Sequence, residues 1–179
     1  ALVLGAAPRL ADMLARRPQI MDGLIDPRFF GAMPDRLELS ARLSATLQDA
    51  DSYEEFLDRI RLFGQESLFL IGTRILSGTV SARQAGHVFA DVAEGIVGLV
   101  RHQFANQYGR IPAQETAIVA MGKLGGREMT ASSDLDLILL YDFDSDHPDS
   151  DGARPLHGAQ YFARFTQRLI SAFTTRTNY

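Results

Sequence analysis

With 179 residues, 46% hydrophobic and 22% charged, the chain can bury the core of one domain or two small ones and carries no mark of disorder. It has no cysteine, which excludes a disulfide framework and a cysteine-ligated zinc site and points to a reducing compartment, read as the cytoplasm. A net charge of -4 gives no global footprint for nucleic acid, and no apolar run approaches the roughly 20 residues that cross a bilayer, nor does a signal peptide precede the first helix.

Leu10, Leu14, Ile20, Leu24 and Ile25 recur at broadly helical spacing, interrupted by Pro18, which should end one short helix and open another, with Pro27 closing the unit. From Asp35, the period of four in Leu39, Leu43 and Leu47 predicts an amphipathic helix. Ser52 with Glu55 three residues on has the form of a capping box, and Tyr53, Phe56, Leu57, Ile60 and Phe63 continue as one face of a helix running to about Leu76. Ser81 is a second candidate cap, ahead of the stripe Val88, Val92, Ile96, Leu99 and Val100 that should end near Tyr108-Gly109. The character changes at Ile111-Pro112. Thr116 to Met121 is short, β-branched and stopped by Gly122, so it reads as a buried strand; Leu135 to Tyr141 reads as a second. About two helical turns fit in Leu124 to Thr130, and a polar acidic loop, 142–152, leads to a final helix carrying Phe162, Phe165, Leu169 and Phe173. The expected fold is α+β and predominantly helical, with a helical region over 1–110 and a second domain with a small sheet from 111 to 179. Because it starts at Ala1 without a methionine, the chain is expected to be a piece of a longer one.

Two features carry chemistry. Asp134 and Asp136 open an apolar strand, and the strand period of two points both carboxylates to one side. Held about 4 Å apart, such a pair repels by roughly 4 kcal/mol at an effective dielectric of 20, so a site presenting both usually holds a cation or shares a proton. Magnesium suits oxygen ligands and completes its shell with substrate phosphates. Asp-x-Asp alone is uninformative among 15 aspartates, and taken alone the acids could equally be idle strand-edge groups. The upstream turn Gly122-Lys123-Leu124-Gly125-Gly126 shifts that balance: its glycines permit close backbone approach, amides opening a following helix would face an anion, and Lys123 supplies a point charge. It is not a P-loop, because the full spacing is absent.

In that order, Gly122 to Leu137 (Gly-Lys-Leu-Gly-Gly-Arg-Glu-Met-Thr-Ala-Ser-Ser-Asp-Leu-Asp-Leu) resembles the signature of the glutamine synthetase adenylyltransferase family, within the DNA polymerase β-like nucleotidyltransferase superfamily. Ala7 to Pro18, continuing to Leu24-Ile25-Asp26-Pro27, resembles the helical region before that family's C-terminal, AMP-attaching module, and Arg127-Glu128-Met129-Thr130 also suits it. The resemblance implies that Gly125 and Gly126 lie beside a triphosphate and that Asp134 and Asp136 are the first two metal-binding, catalytic carboxylates. Ser133 and Lys123 are implied phosphate contacts. The implied reaction passes AMP from ATP, with two Mg2+ ions, to a tyrosine of glutamine synthetase, releasing pyrophosphate. A PII-type signal protein is an implied partner. Alternatives are a regulatory segment relaying PII or glutamine signals, and the AMP-removing module of the same family. The superfamily's third carboxylate follows the last helix. No Asp or Glu occurs from 152 to 179, so this chain by itself is expected not to transfer AMP.

Other signals read as structural. Asp142, Asp144 and Asp146 begin like a calcium loop, but His147 stands where the turn glycine is needed and Ala153 where the closing glutamate belongs. His87, His102, His147 and His157 lack ligand spacing, and Arg16-Arg17 and Arg59/Arg61 read as ordinary surface charge.

Overall fold

The computed structural model describes residues 8–16, 18–25, 29 and 31–174. The fold is predominantly helical α+β with one small sheet. Helix α1 (Pro8–Arg16) is followed by a 3-10 turn (Pro18–Met21) and a single turn, α2 (Asp22–Ile25), so Pro18 does divide the first helical unit. Pro27 and Arg17 lie outside the described residues. Three longer helices follow: α3 (Arg36–Leu47), α4 (Tyr53–Leu76) and α5 (Ala82–Tyr108). Each begins on a side-chain cap. Asp35, Ser52 and Ser81 accept from the backbone N–H three residues on, and at Ser81 the partner Gln84 returns the bond to complete a capping box. At Ser52 the box is incomplete: Glu55 reaches one residue further back, taking the N–H of Asp51 at 3.0 Å. After α5, the chain forms β1 (Glu115–Ala120), a single turn α6 (Gly122–Gly125), β2 (Leu137–Asp142) and α7 (Gly158–Thr174).

One continuous core joins Leu39 and Leu43 of α3, Ile60 and Phe63 of α4, the Val88, Val92, Ile96 and Val100 stripe of α5, and Phe162, Phe165 and Leu169 of α7. A smaller cluster of Leu10, Ile20 and Phe69 holds α1 and the 3-10 turn on α4. Helix α7 is also fastened by arginines and tyrosines: the Arg168 guanidinium lies 3.4 Å over the Tyr53 ring, and Arg61 donates to the Ser171 carbonyl at 2.8 Å. Arg61 is therefore no ordinary surface charge. Its side chain is nearly enclosed and pairs with Asp58, and Arg59 reaches the carbonyls of Thr46 and Asp49, closing the α3–α4 junction. Sequence spacing missed both, because their acceptors are backbone carbonyls.

β1 and β2 pair antiparallel, from Glu115 opposite Asp142 to Ala120 opposite Leu137. Ile118, Ala120, Leu137 and Leu139 pack on the helices. Val119, Ile138 and Leu140 on the opposite face are exposed, which corrects the expectation of a strand buried on both sides. Apolar residues on both faces suggested two covering layers; the described residues supply one.

Candidate functional site

All the candidate residues lie in the segment 121–136, which connects the two strands. Beyond Ala120 the ladder continues by one bond, Met121 N–H to the Asp136 carbonyl at 2.9 Å, which brings the acid-bearing segment alongside the glycine turn. Gly122 then takes φ +51, a left-handed value that favours glycine, and a Cβ there would lie 2.7 Å from Asp136 Oδ2. So the Asp136 carboxylate rests directly against the backbone of the turn. Asp134 and Asp136 precede β2 rather than open it, yet the in–out alternation runs unbroken from 131 to 140 and both are exposed on the same side as Ile138 and Leu140. Neither has a cationic partner within 4 Å among the described residues.

The two glycines of the expected phosphate element differ in role. At Gly125 a Cβ would lie 2.5 Å from the Ala120 carbonyl oxygen, so this glycine is required by the fold. Gly126 has an ordinary φ of -77 and nothing nearer than 3.5 Å to an added Cβ, so no neighbour within the chain demands it. Gly122→Ala is accordingly expected to destabilise the fold by about 1–2 kcal/mol in urea unfolding. Gly126→Ala should leave stability within about 0.5 kcal/mol. Equal losses for both would show that the turn tolerates no side chain anywhere.

Lys123, the only lysine among 18 Lys and Arg, is exposed with no acidic partner among the described residues. Ser133 is engaged locally. Its hydroxyl accepts from the Thr130 N–H at 2.9 Å and meets the Thr130 hydroxyl at 2.8 Å, which shapes the turn before Asp134. The expected two-turn helix over 124–130 is a single turn, because Gly126 caps it and Arg127 follows at φ +55. A turn this short has no macrodipole worth counting, so the expected helix-end amides give way to the bare turn itself.

Arg127 was not singled out by sequence. From its strained backbone its guanidinium spans one face of α5: it pairs with Asp91, donates to Glu94 Oε1 at 2.8 Å and, through Nε, to His87 Nδ1 at 3.2 Å. Glu94 also pairs with Arg36 at the start of α3, 3.3 Å away. Bonding to Asp91, opposed in part by burial and reinforced by both carboxylates, holds the guanidinium even more firmly protonated than usual. The backbone is fitted as closely. A methyl on Gly86 of α5 would stand 3.0 Å from the Arg127 carbonyl oxygen and 3.3 Å from Glu128 Cα. Leu124 and Met129 are buried in the core on either side. The available signals were the oddity of Gly86 in a helix interior and the i, i+4, i+7 acceptors His87, Asp91 and Glu94.

Among the described residues no group of three or more His, Asp or Glu could hold a metal, so the acids stand as a pair. Two unpaired, exposed carboxylates are hard oxygen donors of the kind Mg2+ takes, with its other positions left to water and phosphate. No described helix is long and apolar enough to cross a membrane.

Comparison with known proteins gives a consistent picture. A family model described as glutamate-ammonia ligase adenylyltransferase matches residues 1–179. A protein of Rhodopseudomonas palustris (strain HaA2), named bifunctional glutamine synthetase adenylyltransferase/adenylyl-removing enzyme, is 83% identical over 100% of the chain, which covers 18% of that relative. Proteins of the same name from Bradyrhizobium sp. (strain BTAi1 / ATCC BAA-1182) and Xanthobacter autotrophicus (strain ATCC BAA-1158 / Py2) are 81% and 56% identical, over 100% and 99% of the chain. The chain thus spans less than a fifth of the length of these relatives, 18% to 19%.

Proposed function

We propose, from the premise that this chain belongs to the glutamate-ammonia ligase adenylyltransferase family, that 121–136 forms the triphosphate and metal side of an adenylyl-transfer site in a longer enzyme. The observation that supports the reading is the seating of Asp136 against Gly122, which puts one of the two acids beside the glycine turn, with Asp134 two residues before it in the sequence. Asp134 and Asp136 would hold Mg2+. Bound there, the metal supplies charge neutralisation on the phosphates and lowers the pKa of the attacking hydroxyl. The chain's own residues position the nucleotide. Gly126 leaves the outer side of the turn bare for a phosphate to approach, Lys123 brings an unpaired ammonium to it, and Ser133 holds the turn that presents the acids. A tyrosine hydroxyl of glutamine synthetase would attack the α-phosphorus of ATP and give up its proton to water as the O–P bond forms, while the bond to the bridging oxygen breaks and pyrophosphate leaves. Transfer rather than removal is the reading preferred for this segment, because Arg127 to Thr130 and the preceding helices resemble the attaching module; the relatives' name covers both activities. The cytoplasm is the proposed compartment.

A second reading has an observation of its own. The chain Arg36–Glu94–Arg127 joins α3 to the glycine turn, so a PII-type protein or glutamine acting on the helical region would have a mechanical route to the site.

The test is label transfer from α-labelled ATP to glutamine synthetase by the full-length protein. Chelation of Mg2+ is expected to stop transfer, and added Mg2+ to restore it. Undiminished transfer in the chelated protein would remove the metal role.

A further inference from the structure

A cavity of about 330 Å3 lies at the opposite end of β1 from the candidate site, enclosed by the C-terminal half of α5, the 110–114 loop, Thr116 and α7. From Thr116 to Ala120 the strand rises about 13 Å, so this groove and the acid pair are separate places on one strand. Two arginines, Arg101 and Arg110, line it, and no Asp or Glu does. Neither arginine has a carboxylate within 4 Å among the described residues. Asp151, the nearest candidate, spends Oδ1 on the Arg110 backbone N–H at 2.7 Å. The Tyr161 hydroxyl beside them has its pKa raised by burial, with Gln114, Arg110 and Arg101 pulling it down and the Asp151 carboxylate pushing it up. That hydroxyl is already committed to the Gly109 carbonyl at 2.9 Å. Thr116 Oγ1, in contrast, is buried without a partner. That oxygen has no accessible surface, so it meets a ligand in the groove only when the Thr116 side chain rotates toward it, exchanging a buried orphan for a hydrogen bond.

We infer that this groove binds a small, doubly charged organic anion, a dicarboxylate or phosphate monoester, between Arg101 and Arg110 with Thr116 as a hydrogen-bond partner. The lining selects the class by exclusion. An amino acid would bring an ammonium group to a site with no carboxylate to receive it. A nucleobase would need a free aromatic face, but Phe104, Phe162 and Phe165 are at most 3% exposed and packed on one another and on Tyr161. A bare inorganic ion would leave the apolar floor uncovered, whereas a short carbon body fills it. The two guanidinium forks match carboxylate and phosphate oxygens. The inference rests on nothing in the AMP-transfer reading and stands if that reading fails.

Calorimetric titration of the intact protein at constant ionic strength, with glutarate, glycerol phosphate, inorganic phosphate, glutamine and chloride, tests it. Saturable one-to-one binding is expected for glutarate or glycerol phosphate, and which of the two binds more tightly identifies the source. Arg101→Ala with Arg110→Ala should weaken it at least about tenfold, and Thr116→Val should weaken it less. The exposed Arg83→Ala and Arg154→Ala pair, outside the groove, should leave it unchanged. The inference is overturned by the absence of saturable binding of both organic anions, by equal affinity in the double variant, or by inorganic phosphate or glutamine binding as tightly.

Discussion

Replacing Asp134 and Asp136 by asparagine in the full-length protein is expected to reduce AMP transfer by about 10²-fold for each single change and to abolish measurable transfer for the pair. Asparagine keeps the shape of the side chain and removes the charge a metal requires. Both acids are exposed and have no ion pair among the described residues, so urea unfolding should change by no more than about 0.5 kcal/mol. That separation between activity and stability is the informative part. If the acids served as scaffolding, transfer would stay within a few-fold of the parent, and that result would sink the site assignment.

Arg127→Ala is expected to cost about 2–3 kcal/mol of stability and to lower transfer at least about tenfold. The side chain is about one-third exposed, at 32%, which puts its ion pairs between the negligible surface case and the costly buried one. Asp91 sets the larger share. Its side chain is only 14% exposed, and alanine at 127 removes its guanidinium partner. Arg127→Gly provides the control, because it relieves the φ of +55 by roughly 1 kcal/mol while deleting the same clamp. If glycine proves as active as arginine, backbone conformation alone positions the turn. If both variants lose kcat with little change in KM for ATP, the clamp acts on the alignment of reacting groups. Arg127→Lys should recover part of the stability but not the forked geometry.

The helices were legible because their signals are local: Ser52 and Ser81 provide the caps expected of them, and the stripes at Leu39 and Val88 face the core; that Asp35 also caps its helix was not read from sequence. The strands were legible in place and type but not in environment. Val119 and Leu140 read as core on hydrophobicity alone, and only the layer arrangement reveals an open face. Within the candidate site, the glycines and acids stood out through order and spacing. What sequence could not supply was the division of labour between Gly125, fixed by the Ala120 carbonyl, and Gly126, crowded by nothing among the described residues. Arg127 escaped for a different reason from Arg59 and Arg61, whose distant acceptors are backbone carbonyls. Its partners lie 33 to 40 positions away on another element, where no local pattern reaches.

The connection between β1 and β2 also has a consequence for how the protein folds. Most antiparallel neighbours meet through a tight turn and can zip up unaided. Here the whole of 121–136 intervenes, and besides its own internal hydrogen bonds it leans on α5 at the Gly86 notch and the acceptors His87, Asp91 and Glu94. Helix pairing within 36–108 draws on neighbours in sequence and should be complete in the transition state, with the strands and their connection docking afterwards. Arg127→Ala should then speed unfolding and leave refolding nearly unchanged; a slowed refolding limb in the chevron would reverse the order. On this route the 121–136 segment docks after the helices have paired and opens before they part, so a partly unfolded population retains its helices while the candidate site is already dispersed.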